Sequence, residues 1–295
     1  MEHTESTGRH RSSMYDGRMD FGTDVSGMDD TTALAVCDAD WDVVLLPAAA
    51  VFPDGTTLVV PGHRFVVAGG SPVGQVGSRY HPVQNVELLG FARECADRLG
   101  STVARAGVTQ GNGRFWCWVP VGEAGLVFST AHHGRGAVCV QLAVPGGGGL
   151  VRLGPESEST LSFPHGPTLQ ARLDDPAEVA GWANGRVLAA AAELDRLSRL
   201  VVEPVRLGEV LEGVVPAGRA KSELQLSNRH AVMDAVAGRW VSFSGGGRDA
   251  RSLLCAVAWY LDRGRRASVA DRVDQSVDDS GWVTRAKFVA HAVLS

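Results

Sequence analysis

His132 and His133 stand directly ahead of Gly134-Arg135-Gly136, two imidazoles beside a glycine turn, the residue types that hold a metal ion or shuttle a proton near neutral pH. Neighbouring residues on a strand point to opposite faces, so this pair cannot grip one ion without a turn between them. A loop closing a hairpin is the simpler reading, and no metal is expected. The glycine runs at 146–149 and 245–247 invite a phosphate loop. That chemistry needs GxxxxGK[ST], and the second run continues Arg248-Asp249-Ala250-Arg251 with no lysine. There is no GxSxG elbow and no HExxH, and no Asp or Glu stands out as an acid–base pair. The sequence favours a binding protein over an enzyme and calls for no cofactor.

Arginines beside aromatics offer a different chemistry. In Arg114-Phe115-Trp116-Cys117-Trp118, strand alternation puts Trp116 and Trp118 on one face with Arg114 at its edge, and Phe115 and Cys117 on the other. Either the strand is central with both faces buried, or the tryptophans are a platform on which bases stack. Arg79-Tyr80, just ahead of a proline turn, poses the same alternative: a phosphate-and-base grip, or a tyrosine anchoring the turn into the next helix. Arg263, Arg265 and Arg266, with Arg248 and Arg251 one helix earlier, are the densest basic group. They suit phosphate contacts, or a solvated helix end complementing the dipole.

Net charge alone gives no support to nucleic acid, being −5 over 295 residues. It conceals an asymmetry, because residues 196–272 carry 13 Lys+Arg against 8 Asp+Glu, whereas residues 1–195 carry 13 against 22. Five cysteines, Cys37, Cys95, Cys117, Cys139 and Cys255, lie far apart without CxxC spacing and read as reduced core residues. Cys117 and Cys139 fall in neighbouring strand-like runs, which leaves a facing pair as the alternative. No apolar run reaches the roughly 20 residues of a membrane span, and the N-terminus has no hydrophobic stretch of a secretion signal. A cytoplasmic protein without membrane contact is expected.

These groups must be positioned by local structure. Residues 1–30 lack apolar periodicity and read as a disordered tail. Short β-branched and aromatic runs at 43–46, 56–60, 64–67 and 73–79 then read as a strand meander, turning at Pro53-Asp54-Gly55. Helical spacing over 86–99, with Asn85 as N-cap and Gly100 after it, predicts one amphipathic helix. Strands follow at 101–109, 114–121, 126–131 and 137–144, the first two joined by a turn at Gln110-Gly111-Asn112-Gly113. The stretch from Gly146 through His165 reads as a long flexible connection. Helices are predicted from a capping box at Asp175 and Glu178, with Pro176 at the first helical position, to about Leu200, then at 228–240, 249–263 and 284–294.

Three stretches taken together resemble the phage/plasmid-like protein family, also designated domain of unknown function nine-three-two. They are Ala33-Leu34-Ala35-Val36-Cys37-Asp38-Ala39-Asp40-Trp41-Asp42-Val43, Val76-Gly77-Ser78-Arg79-Tyr80-His81-Pro82-Val83-Gln84-Asn85 ahead of a helix, and Ala256-Val257-Ala258-Trp259-Tyr260-Leu261-Asp262-Arg263 followed by a basic turn and Lys287. The likeness covers roughly residues 31–294. Where the family usually carries a Cys-Gln-Asn-Thr-Leu run, this chain has Glu158-Ser159-Thr160-Leu161. The resemblance implies residence on a phage, prophage or plasmid, and its strand-then-helix plan is reminiscent, by fold analogy, of phage single-strand annealing proteins.

The expected fold is α+β: a tail over 1–30, a strand-rich domain over 31–165 built as an antiparallel meander crossed by one helix, and a mostly helical region over 166–295 packed on it. The expected function is nucleic-acid binding, single-stranded DNA first, in recombination or replication of a mobile element. The partners considered are that nucleic acid and further copies of the chain. The alternative is a protein-interaction or regulatory module with its tryptophans in the core.

Overall fold

A computed structural model describes residues 22–109, 113–134, 136–146, 149–152, 159–203, 207–210, 223–243 and 248–263. The chain is a mixed α+β protein in which two antiparallel sheets precede most of the helices. The larger sheet is ordered β1 (Thr23–Asp24), β5 (Arg105–Thr109), β6 (Arg114–Val121), β7 (Ala124–Ala131), β8 (Ala137–Gly146) and β10 (Thr160–Pro164), with β9 (Gly149–Arg152) also pairing with β8. The smaller sheet is the meander β2 (Val43–Val51), β3 (Thr57–Ala68) and β4 (Ser71–Gly77). Among the described residues, no helix is long and apolar enough to cross a membrane.

Cross-strand register decides what each face of the large sheet holds. Phe115↔Thr130, Cys117↔Phe128 and Val119↔Leu126 share one face, and Trp116↔Ser129 and Trp118↔Val127 the other. Helix α2 (Asn85–Arg98) packs Leu88, Phe91, Ala92 and Cys95 on the first face, where Phe91 meets Phe128 edge-on with ring centroids 5.8 Å apart. The short helices α1 (Asp30–Val36) and α3 (Leu169–Leu173) join that core through Leu34, Leu169 and Leu173. Helix α4 (Pro176–Arg199) adds Val179, Ala183, Val187, Ala190 and Leu194 at helical spacing. Its last turn supplies Leu197 to a second cluster with Val236 and Trp240 of α5 (Glu223–Phe243) and Leu253, Leu254 and Val257 of α6 (Ala250–Arg263). One helix therefore belongs to both cores, and the first core draws residues from both sides of the boundary expected at 165 and 166.

Several expectations need correction. The run at 56–67 is one strand, β3, and the stretch expected to be a flexible connection contains β9 and β10, both hydrogen-bonded to β8. Asp175 makes no side-chain cap, although Pro176 does begin α4; Glu178 instead pairs with Arg172. Gln84, not Asn85, is the N-cap of α2, in a capping box with Glu87, and Gly100 follows the helix at φ 65° as expected. Cys117 and Cys139 lie on opposite faces of the sheet, and all five cysteines are free thiols. Burial raises the thiol pKa of Cys37 to about 11 and of Cys95 to about 12. The helix expected at 284–294 and the hairpin turn at 110–112 fall outside the described residues.

Residues 22–29, expected to be disordered, belong to the fold. Thr23 and Asp24 pair with β5, Val25 is fully buried, and Asp29 caps α1 by accepting from the Thr32 N–H at 2.9 Å. Removing Val25 from the core and Asp29 from the helix should together cost about 3 kcal/mol. A chain beginning at Asp30 should therefore melt roughly 6 to 12 °C below one beginning at Gly22. Equal melting temperatures in calorimetry would show that this segment contributes no stability.

Candidate functional site

The start of α2 joins the two sheets. Gln84 pairs with Val43 of β2 as a neighbouring strand would: the Val43 N–H donates to Oε1 at 2.8 Å and Nε2 donates to the Val43 carbonyl at 2.9 Å. Asn85, buried, donates from Nδ2 to the Ala39 carbonyl at 2.9 Å and turns Oδ1 toward His132 Nε2, 3.1 Å away. His132 follows β7, and its backbone N–H donates to the Gly113 carbonyl at 2.7 Å. Trp41 meets its ring edge-on at 5.5 Å. On the other side, Tyr80 stacks on His165 with centroids 4.7 Å apart, and His165 Nδ1 donates to the His81 carbonyl at 2.9 Å.

The backbones approach closely because glycine stands at the contact. A Cβ on Gly74 of β4 would lie 2.3 Å from the His133 carbonyl oxygen, and Gly134, at φ 82°, sits where a Cβ would lie 2.7 Å from the Gln75 carbonyl oxygen. The smaller sheet is thereby fixed against the β7–β8 turn.

These contacts settle the protonation of His132. Burial, with His165, His133 and Arg114 nearby, lowers its pKa to about 3, so the ring is neutral near pH 7. The Asn85 amide nitrogen is committed to Ala39, so Oδ1 faces the imidazole and must accept; the single ring proton is then on Nε2. Nδ1 is left as a buried lone pair with no partner among the described residues. Burial also lowers the His165 pKa, against the opposing pull of the His81 and Ala131 carbonyls. Among the described residues no group of three or more His, Cys, Asp or Glu is arranged to hold a metal ion. Around the two imidazoles the described residues bring the Trp41 ring, the Asn85 amide, the Tyr80 ring and the Arg114 guanidinium.

The structure brings some of the expected binding residues here and sends others elsewhere. Tyr80 anchors the turn after β4, half-buried against His165, while Arg79 beside it is exposed. Arg114, buried at the start of β6, is one of the charges acting on His132. Trp116 and Trp118 are 1% and 3% exposed, in a cluster with Val127, Ala143 and Leu150. Of the two readings of that strand, the structure has the central one with both faces covered, and the tryptophans offer no platform to bases. Arg248 is exposed, and Arg251 bonds Glu123 in the β6–β7 turn at 2.9 Å. Arg263 ends α6, and Arg265 and Arg266 fall outside the described residues. Sequence reasoning missed Trp41, Asn85 and His165 as parts of one assembly, because their partners are remote in the chain.

The neutrality of His132 fixes the sign of a pH effect. Its folded pKa is depressed, so the unfolded chain binds a proton below about pH 6.5 that the folded chain refuses until near pH 3. Stability is full above about pH 6.5 and falls as the pH drops through that window, by about 2 kcal/mol per such histidine between pH 7.5 and 5. His165 acts in the same direction. His132→Gln should lose roughly 1 to 3 kcal/mol at neutral pH through its Asn85 contact, yet flatten the acid decline by one histidine's share. Denaturant titrations at several pH values measure both; an unchanged slope in the variant would refute the assignment.

Comparison with curated proteins finds no match, and comparison with solved structures finds none either. The family model described as Domain of unknown function (DUF932) matches residues 72–286. That segment runs from β4 through the seam residues Tyr80, Asn85, His132 and His165 and on past α6, and it leaves β2 and β3 outside. The match takes in well over half of the chain, which belongs to the DUF932 family.

Proposed function

We propose that this chain binds nucleic acid, single-stranded DNA first, on the base of the smaller sheet and the turn that follows it. The observation that carries this reading is a distribution of charge. From Val43 to Gln84 there is one carboxylate, Asp54, against two guanidinium groups, Arg64 and Arg79, both exposed, with the exposed rings of His63 and His81 beside them as hydrogen-bonding groups. Within residues 1–195, which carry 22 Asp+Glu against 13 Lys+Arg, a surface nearly free of acids repels a polyanion little.

The same surface has groups for bases. Phe65, exposed, lies opposite Gln75 in the β3–β4 register, and His63, two residues along on the same face, is 3.1 Å from Gln75 Nε2. A ring beside an amide and an imidazole can stack a base and bond its edge, while Arg79 in the neighbouring turn holds a phosphate. Arg248 supplies a further exposed cation on the helical side; Trp116, Trp118 and Arg114 drop out of the contact surface because they are buried. No catalytic step is involved. Service in recombination or replication of a phage or plasmid rests on the family resemblance and is part of the proposal. The second reading, a protein-interaction module, is favoured by exposed apolar side chains further out on β2 and β3.

Anisotropy of a labelled single-stranded oligonucleotide, titrated with protein across a range of salt, tests the reading. Arg79→Ser should weaken binding alike for every sequence and lower the slope of log K against log salt by about 0.7. Phe65→Ala should weaken it by about 1 to 3 kcal/mol while the melting temperature holds. Failure of the wild-type chain to bind single-stranded DNA at micromolar concentration in low salt would end this proposal.

A further inference from the structure

The smaller sheet has an apolar cluster of its own. Val43, Val66 and Val76, with Trp41, Leu45, Val73 and Tyr80 packed against them, draw on residues 41–80 alone. The core that α1 to α4 share with the large sheet takes no residue from that range. What seats the smaller sheet on the body is polar, and each of its two ends meets one buried imidazole. Ahead of β2, Trp41 meets the ring of His132, which follows β7. After β4, Tyr80 stacks on His165, which follows β10 and donates from Nδ1 to the His81 carbonyl. A unit with its own cluster and a polar joint can open without unfolding the rest of the chain.

We propose that the seam is a proton-operated joint: a second proton on His132, joined by one on His165, undocks the smaller sheet while the large sheet and its helices stay folded. His132 Nε2 already donates to Asn85, so the added proton falls on Nδ1, buried and without an acceptor among the described residues. Every titratable group acting on that ring, His165, His133 and Arg114, is a base and opposes the charge. The other groups packed there, the Trp41 ring and the Asn85 amide, are neutral. At His165 the added proton falls on Nε2; the His81 and Ala131 carbonyls favour it, while burial, the larger effect, and His133 oppose it. Tyr80, stacked on that ring, keeps its phenol proton because burial raises its pKa. Of the carboxylates flanking these segments, Asp40 and Asp42 are exposed and Glu87 accepts from the Gln84 N–H, and none is among the charges acting on either ring. The opened rings take up protons that the docked rings refuse. The joint is therefore closed above about pH 6.5, and its opening constant rises about tenfold for each pH unit below that through His132, with His165 acting in the same direction. The joint belongs to the fold and does not depend on nucleic-acid binding.

Hydrogen exchange of the full chain, read by mass spectrometry between pH 7.5 and 5 and corrected for the intrinsic pH dependence of exchange, tests it. Residues 41–48 and 78–84 contain the Val43 and His81 amides, which bond to Gln84 Oε1 and the His165 carbonyl. These segments should lose protection about 30-fold over that range, while residues 114–130 of β6 and β7 keep theirs. Gly74→Ala, which sets a Cβ against the His133 backbone, should open the joint further at every pH with the same slope. His132→Gln and His165→Gln should each flatten the slope, and the double variant should abolish it; should the double variant not fold, the single variants carry the same comparison. Equal loss of protection in 41–48 and 114–130 would overturn the joint, as would full protection of 41–48 and 78–84 at pH 5. A slope that the histidine variants leave unchanged would overturn its assignment to these rings.

Discussion

The two amide side chains at the start of α2 hold the molecule's parts in register. Gln84 presents an acceptor and a donor to the two backbone groups of Val43, and Asn85 does the same between the Ala39 carbonyl and His132. An amide carries both functions on one rigid plane, so each residue bridges two segments that do not otherwise touch through regular pairing. Carboxylates could not do this: they would accept only, leave a carbonyl opposed, and bring charge into a buried seam. The N-cap also links these bonds to the helix. Glu87 Oε2 accepts from the Gln84 N–H at 2.7 Å, so the turn that locates α2 locates the first strand of the smaller sheet too. The tautomer of His132 follows from the same arrangement.

Helix α2 transmits that position into the core. Its buried stripe rests on Phe115, Cys117, Leu126 and Phe128, and α4 closes over the same face before passing its last turn to the helical pair. The helical pair is tied back by backbone bonds, Val202 N–H to the Arg248 carbonyl at 2.7 Å and Ala250 N–H to the Leu200 carbonyl at 2.9 Å. Trp240 adds an indole bond to the Asp249 carbonyl at 3.0 Å, and Asp249 caps α6 by accepting from the Ser252 N–H at 2.8 Å. Arg251, in the first turn of α6, reaches the β6–β7 turn through Glu123. Its charge is thus engaged within the protein and is not spare for a ligand.

What could be read from the sequence was what local rules determine. The boundaries of β6 match the expected run, α2 and α4 agree within a residue or two, and the turn at Pro53-Asp54-Gly55 lies where its residue types put it. β9 and β10 escaped because glycines, a proline and polar residues surround short strands whose only reason to be extended is the free edge of β8. Residues 22–29 escaped because a single buried valine carries no periodicity. The seam escaped for a stronger reason: Asn85 meets His132 across 47 positions and His165 meets His81 across 84, and neither separation leaves a local signal. The tryptophans were undecidable in principle, since alternation identifies which residues share a face and says nothing of what covers it.

Burial separates the seam's role from that of the surface around it. Neutral imidazoles enclosed with a tryptophan, an amide and a buried arginine have no exposed face through which to meet a large ligand, so they act on function through placement. Gly74 and Gly134 allow β4 to lie backbone against backbone on the β7–β8 turn, and a contact of that kind has no long side chains to yield. The smaller sheet rests on that support and on the Gln84 bonds to Val43. Groups on the base of that sheet, His63, Phe65 and Gln75, then stand in a fixed relation to Arg79 and His81 in the following turn. In the proposed binding of nucleic acid, a seam of this kind would present the exposed strand face and the loop arginine to one strand with the entropy of ordering them already lost in folding.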